Sequence, residues 1–489
     1  MVTFSFKYAI LLVDVRDIML LPNLNEARKR TKNCVKKINY TLDDLYKNIG
    51  KNLTYYVKTY GCQMNEHDSE NIEGLLDSIG FTKNSDMNNA DVIILNTCSI
   101  RENAHNKAFG MLGRIKHLKD EKPNIIVGLC GCMAQEEVVI DEILSKYRHV
   151  NFVFGTHNLY DLPRMIYESM EKKKTNVCVL SHEGDLIEGL PVRRVSKFKA
   201  YVNIIYGCDK FCTYCIVPYT RGKQRSRKIE DILEEVQKLK EDNYQEVTLL
   251  GQNVNAYGKD LNLGYDLADL LTQVAETNIP RVRFITSHPW DFTDRMIEVI
   301  KKYDNIMPYV HLPLQSGSNR ILKLMGRRYT KEDYIKLFDK LKEIDGVSIT
   351  TDIIVGFPSE TEEDFLETID VVNYCQYDSA FTFIYSPRVG TPAAKLFEED
   401  KTPLSVKEER LYRLNELINN YSLASNKKMV GKEYLVLVEG ESSKKGMMYG
   451  YTETNKLVNF IGNKGLIGKI VSVKIIDAKS FSLDGELVE

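Results

Sequence analysis

Between residues 200 and 384, six short apolar runs recur at 200–206, 247–250, 282–285, 309–314, 349–355 and 380–384, with amphipathic stretches such as 228–240 and 362–375 between them. Strands separated by helices of this length pair in parallel, because each helix carries the chain back across the sheet. Six such units predict an open, partial (β/α)6 barrel of the TIM type. In these barrels the chemistry sits on loops at the carboxyl ends of the strands. The first such loop holds Cys208, Cys212 and Cys215, so three thiols stand where a site is expected.

The other segments divide by pattern. A chain of 489 residues exceeds what one core organises. From 55 to 174, apolar runs at 55–57, 92–95, 125–127 and 152–154 alternate with helical stretches such as 69–79, which predicts a small α/β domain on a parallel sheet. Residues 175–199, with Gly184, Gly189 and Pro191, read as a linker. After a helical connection at 407–426, apolar runs at 434–438, 456–460 and 470–476 with glycine punctuation predict a small all-β barrel of an oligonucleotide-binding kind. The organisation expected is an α/β chain with an N-terminal extension (1–53) of no assigned function, a parallel-sheet domain (54–174), a linker (175–199), the barrel (200–426) and the terminal β-barrel (427–489).

Ten cysteines are too sparse for a disulfide scaffold at this length and fit reduced thiols in the cytoplasm. The apolar start at 8–13 is broken by Asp14, Arg16 and Asp17 before any cleavage site, and no apolar stretch is long enough to span a bilayer, so neither export nor membrane insertion is expected. A net charge of −2 conceals one basic segment: residues 192–228 carry ten lysines or arginines against Asp209 alone, which suggests an anionic partner there.

Three thiolates on one compact C-x-x-x-C-x-x-C loop can hold three irons of a cubane cluster and leave the fourth open. Structural zinc takes four ligands in a closed tetrahedron, and no fourth ligand of suitable spacing lies nearby. A second set is scattered: Cys62, Cys98 and Cys132 each follow an apolar run. Strand ends of a parallel sheet share an edge, so these loops can converge on one cluster; buried structural cysteine is the alternative that spacing leaves open.

The Cys208–Cys215 loop, with Tyr214 before its last cysteine, resembles the radical S-adenosylmethionine (SAM) superfamily. That resemblance implies an open iron chelating SAM and a one-electron cleavage to a 5′-deoxyadenosyl radical. It suggests SAM contacts at Tyr214, against the adenine, and at the strand-end residues Gln252, Asn253, Gln315 and Asp352; residues 356–360 resemble the superfamily's glycine-rich motif only loosely. The three scattered cysteine loops, the radical loop and the terminal β-module together resemble the methylthiotransferase family, and residues 58–65 are similar to its MiaB branch. Residues 287–289, 311–318 and 386–391 strengthen the match.

The resemblance implies two [4Fe-4S] clusters, the auxiliary one on Cys62, Cys98 and Cys132 with Cys130 not ligating, and two SAM molecules per turnover. It implies methylthiolation at C2 of N6-isopentenyladenosine next to the anticodon (position 37) of tRNA, with sulfur held on the auxiliary cluster. The partners implied are the tRNA anticodon stem-loop and an electron donor such as flavodoxin or ferredoxin, the protein being a cytoplasmic monomer. The terminal module resembles a TRAM domain, whose Lys444, Lys445, Lys456, Lys464 and Lys469 are candidate phosphate contacts. Threonylcarbamoyladenosine and a ribosomal-protein aspartate are alternative substrates, against which Gln63, Met64 and Asn65 speak. A non-catalytic iron–sulfur RNA-binding or electron-transfer protein is the rival of a different class and predicts no SAM cleavage. Cys34, Cys178 and Cys375 are expected to be structural, and no histidine is assigned a catalytic role.

Overall fold

A computed structural model describes residues 37–99, 102–171, 176–179 and 186–488, so Cys34 and most of the N-terminal extension lie outside the described residues. The first domain is a six-stranded sheet in the order Thr82–Lys83, Thr54–Thr59, Val92–Thr97, Ile126–Gly131, Phe152–Phe154 and Asn176–Cys178. Every pairing is parallel. Successive side chains of a strand point to opposite faces, and here both faces are covered. Ile93 and Leu95 pack with Leu112, Ile115, Ile140 and Ile143, from the helices Glu102–Glu121 and Glu137–Lys146, on one side. Val92 and Ile94 pack with Ile72, Leu75, Met165 and Ile166, from Gln63–Ser78 and Leu162–Glu171, on the other. Each fully buried aliphatic side chain contributes roughly 1.5–3 kcal/mol, which is why these strands read as unbroken apolar runs.

The six expected barrel strands all form. Lys199–Asn203, Glu246–Leu250 and Arg281–Phe284 make one parallel sheet, and Tyr309–His311, Ser348–Val355 and Ser379–Ile384 another. A single parallel bridge from Val282 to Ile306 joins them in chain order. The helices between strands bury one stripe, as Ile229, Ile232, Val236 and Leu239 do along Ile229–Glu241. Their starts are set by side chains: Asp266, Thr330 and Thr361 each close a capping box with an aspartate three residues on. Such a cap contributes about 0.5–2 kcal/mol.

The helix Leu404–Lys427 leads to a closed five-stranded barrel, ordered Glu433–Glu441, Met447–Thr452, Leu457–Ile461, Leu483–Leu487, Ile470–Ala478. Two of these strands, Met447–Thr452 and Leu483–Leu487, go beyond the three apolar runs. Both carry a glycine where the barrel closes tightly; a Cβ on Gly450 would lie 2.3 Å from the Leu437 carbonyl oxygen.

This terminal barrel docks on the amino ends of the strands Lys199–Asn203, Glu246–Leu250 and Arg281–Phe284. Lys199, Glu246 and Arg281 are register neighbours there. Arg281 donates to the carbonyls of Tyr451 and Leu435 at 3.0 and 2.9 Å, and Arg283 to those of Glu453 and Thr452, both at 2.8 Å. Lys199 pairs with Glu439 at 2.5 Å. Lys456, a candidate phosphate contact, is half-buried and paired with Asp378 at 3.3 Å. Part of the basic charge in 192–228 is likewise paired within the protein. Arg194 pairs with Glu70 and Glu235, Lys210 with Asp291, Arg221 with Asp68, and Arg227 with Glu188 and Glu235. These pairs join domains and loops, while Lys197 and Lys228 stay exposed. No helix among the described residues is long and apolar enough to cross a membrane.

Candidate active site

Three strands of the N-terminal sheet end in cysteine. Cys62 lies just beyond Thr54–Thr59, Cys98 follows Val92–Thr97, and Cys132 follows Ile126–Gly131. These are neighbouring strands, so their carboxyl ends share one edge. Their loops are interlocked. The Asn65 amide donates to Asn96 Oδ1 at 3.1 Å and to the Thr97 carbonyl at 2.8 Å, while Asn96 donates to the Asn65 carbonyl at 2.8 Å. Two glycines permit the close approach: a Cβ on Gly61 would sit 2.7 Å from Cys98 Cβ, and one on Gly131, at φ 95°, would sit 2.3 Å from the Thr97 carbonyl oxygen.

The electrostatics of this edge treat its thiols differently. Cys62 caps the helix Gln63–Ser78, and its thiol is pushed down to about 6 by the adjacent Cys98 thiol, with Arg221 and the amides of Asn65 and Met64 acting the same way against burial. Burial pushes the Cys132 thiol up, and Arg221 opposes it. Cys130 points the other way, into the apolar core beside Tyr55 and Ile72.

The second set occupies the loop after Lys199–Asn203. The peptide amide of Cys208 donates to the Gly222 carbonyl at 3.1 Å and that of Thr213 to the Met325 carbonyl at 2.9 Å, which ties the loop at both ends. Arg327, buried, donates to Cys212 Sγ at 3.6 Å and to the Pro313 carbonyl at 3.1 Å. Burial pushes the Cys215 thiol up to about 12 and that of Cys208 higher still. Lys210, inside the loop, is held by Asp291, which also takes Lys259 at 2.6 Å. Among the described residues no three histidine, cysteine or carboxylate side chains converge as a single-ion site requires. A cubane makes a different demand, one thiolate for each of three irons.

The two cysteine-bearing edges meet across a seam. Arg221, six residues beyond Cys215 and at the end of the short helix Val217–Thr220, reaches Cys132 Sγ at 3.2 Å. The same guanidinium holds Asp68 at 2.5 Å. Thr156 Oγ1 donates to the Thr220 carbonyl at 2.7 Å, and Tyr201 to Glu66 at 3.2 Å.

The remaining candidates take several positions. Tyr214 packs on the cluster of Ile321, Met325, Phe357, Tyr385 and Ala393. Gln252 accepts from the Gly207 peptide amide. Asn253 is buried and donates to Asp291 at 2.6 Å. Gln315 adopts φ 69° and is tied to Asp352 through its backbone amide at 2.8 Å. The Asp352 carboxylate lies 3.3 Å from His311 Nε2. Phe381 pairs in register with Asp352, and Phe383 with Ile354, so all four share one sheet face. Residues 356–360 form a tight turn in which the Phe357 amide donates to Glu360 at 3.1 Å.

Cys178 accepts from Arg164 and Asn158, both at 3.4 Å, and Cys375 is buried in the barrel core, both apart from the seam. His288 caps the turn Pro289–Asp291, and burial, with Arg327 nearby, pushes its protonation down to about 2. Arg221, Arg327, Asp68 and Asp291 escaped the reading of motifs. The one signal for Arg221 was its place in the segment directly after the cysteine loop.

Residues 202–372 match the Radical SAM superfamily, 54–155 the uncharacterized protein family UPF0004, and 427–488 the TRAM domain. A tRNA-2-methylthio-N(6)-dimethylallyladenosine synthase of Staphylococcus epidermidis is 54% identical over 472 residues, covering 96% of this chain and 91% of that protein. One of the same name from Staphylococcus aureus is 52% identical over the same shares. The solved radical S-adenosylmethionine methyltransferase TsrM from Kitasatospora setae superposes with a TM-score of 0.51, over 70% of this chain and 77% of that one, at 13% identity; this is a likeness of fold.

Proposed function

The chain belongs to the family of tRNA-2-methylthio-N(6)-dimethylallyladenosine synthases, radical SAM methylthiotransferases, and from that premise we propose that it methylthiolates C2 of N6-isopentenyladenosine beside the anticodon (position 37) of tRNA. The observation that carries the reading is the meeting of two cysteine-bearing domains at one seam, where Arg221 from the barrel reaches Cys132. Its cofactors are two [4Fe-4S] clusters and SAM. The residues fit them: each set offers three thiols with no competing carboxylate in the set, and each has a buried guanidinium at one sulfur. Cys208, Cys212 and Cys215 hold the SAM-binding cluster, and Cys62, Cys98 and Cys132 the auxiliary one. When bound, these groups supply the electron that cleaves SAM and the sulfur that is transferred.

The protein's own part is placement and exclusion of water. Tyr214, Gln252, Asn253, Gln315 and Asp352 are the candidate SAM contacts at the barrel mouth, Asp352 oriented by His311. Phe381 and Phe383, 54% and 42% exposed on the Asp352 face, offer an apolar wall to the isopentenyl group. Burying such a group contributes about 25 cal/mol per Å², a few kcal/mol in all, and holds the ring for attack at C2. The target base leaves its stack to reach this depth. The TRAM domain engages the anticodon stem-loop, a flavodoxin or ferredoxin supplies electrons, and the enzyme works as a cytoplasmic monomer.

Mass spectrometry of tRNA nucleosides from a strain lacking the protein tests the reading: the methylthio nucleoside disappears and its isopentenyl precursor accumulates. With purified enzyme, stem-loops with and without the isopentenyl group separate the parts. Equal methylthiolation of both defeats the role of the apolar wall, and SAM cleavage with no methylthio product on either points to another substrate.

A further inference from the structure

Arg221 stands in an unusual position. It belongs to the SAM-barrel half of the molecule, yet its side chain ends inside the cysteine edge of the N-terminal half. It is 5% exposed and donates through Nε to Cys132 Sγ at 3.2 Å. Its Nη2 donates to Asp68 at 2.5 Å and to Asn65 Oδ1 at 3.5 Å. Asp68 and Asn65 lie on the helix that Cys62 caps, and Asn65 also reaches the strand before Cys98. One guanidinium therefore touches one cysteine of the auxiliary set directly and the loops of the other two through a single intermediary. A lysine has one donor centre and cannot span these directions; the planar fork can.

We propose that Arg221 is a positioning residue for the auxiliary cluster, holding the Cys132 loop in place and adding a buried positive charge that raises that cluster's reduction potential. This rests on the reading of Cys62, Cys98 and Cys132 as its ligands. The physical step is the addition of one electron. The reduced cluster carries one more negative charge than the oxidised one, so a nearby buried cation stabilises it preferentially, and an N–H···S bond acts in the same direction. Asp68 opposes this by neutralising part of the cation. The pair thus sets the potential by a difference, with a residue of each domain contributing one sign. Closure of the seam delivers Arg221 to the cluster, so the potential reports whether the domains are docked.

The test is anaerobic potentiometry of the reconstituted holoenzyme, followed by electron paramagnetic resonance. The signals are assigned with Cys208, Cys212 and Cys215 changed together to alanine, a variant that keeps only the auxiliary set of thiolates. Arg221→Gln moves the auxiliary midpoint to more negative potential and leaves the SAM-binding cluster unmoved; Arg221→Lys moves it less. Asp68→Asn moves it the opposite way, to more positive potential. If Arg221→Gln loads only one cluster, Asp68→Asn decides alone, by the sign of its shift. An unmoved auxiliary midpoint in Arg221→Gln, or a shift of the same sign in both variants, overturns the proposal. A wild-type protein that loads a single cluster overturns instead the reading of the cysteines on which it rests.

Discussion

Replacing Arg283 by methionine tests how the terminal β-barrel is held. The guanidinium is 5% exposed and makes three short contacts: Nε to Glu246 and one donor each to the carbonyls of Glu453 and Thr452, all at 2.8 Å. Methionine fills similar space but leaves both carbonyls and the Glu246 carboxylate short of a partner. Removing one member of a buried pair costs about 3–5 kcal/mol. Glu246 keeps Lys199 at 3.6 Å and Arg281 at 4.0 Å, which places the loss at the low end, about 3 kcal/mol. That is roughly a hundredfold rise in the undocked population.

Hydrogen exchange of the strands Glu433–Glu441 and Met447–Thr452 reads this directly, with the N-terminal sheet as internal reference. The pH dependence adds a signed check. Burial would raise Glu246, yet Arg283, Lys199 and Arg281 together hold it below its ordinary value. That stabilisation is present above the ordinary glutamate range and is lost as pH falls through the depressed value, so the penalty of the variant shrinks in acid. Exchange within about threefold of wild type at neutral pH would refute the reasoning, because interface carbonyls left unpaired must cost more than that.

Three further outcomes are expected. Reconstituted protein binds about eight irons, and Cys208, Cys212 and Cys215 changed together to alanine retain about four, read by iron and sulfide analysis; a full load in that variant contradicts the ligand assignment. Burial pushes Glu360 up to about 7, against Arg410, so wild type loses stability as pH rises from the ordinary glutamate range through neutrality. Glu360→Gln should remove that slope, worth up to roughly 3 kcal/mol, in thermal unfolding followed across pH. Gly74→Ala places a methyl 2.3 Å from the Pro191 carbonyl, where the helix Gln63–Ser78 abuts the linker backbone. The clash costs about 1–3 kcal/mol, more than the gain of about 1 kcal/mol in helix propensity, and a lowered urea midpoint checks it.

The parallel sheets were legible because strands covered on both faces, such as Val92–Thr97, have little choice but to be apolar throughout. The terminal barrel was less so: Met447–Thr452 alternates buried and half-buried residues and includes Gly450, which a search for apolar runs passes over. Spacing placed Cys208, Cys212 and Cys215 on one loop, but it could not bring Cys62, Cys98 and Cys132 together; adjacency of their strands in the sheet does that. The 192–228 segment is only partly legible for a related reason. The acids that neutralise it, among them Asp68, Glu70, Glu235 and Asp291, are scattered along the chain, and a local charge count cannot see them. Arg221 is legible only in three dimensions, since nothing in its neighbourhood names Cys132 as its partner.

The burial of the thiols also imposes an order in time. Cys98, Cys132 and Cys212 are 1%, 3% and 7% exposed, and Cys132 is covered by the contact that Arg221 makes across the seam. A carrier delivering an assembled iron–sulfur unit cannot reach them while the halves are closed. Maturation must therefore come before docking or pass through an opened form. A mutation that made the seam too tight would leave a well-folded but metal-poor protein, a defect visible in its iron content and not in its unfolding curve.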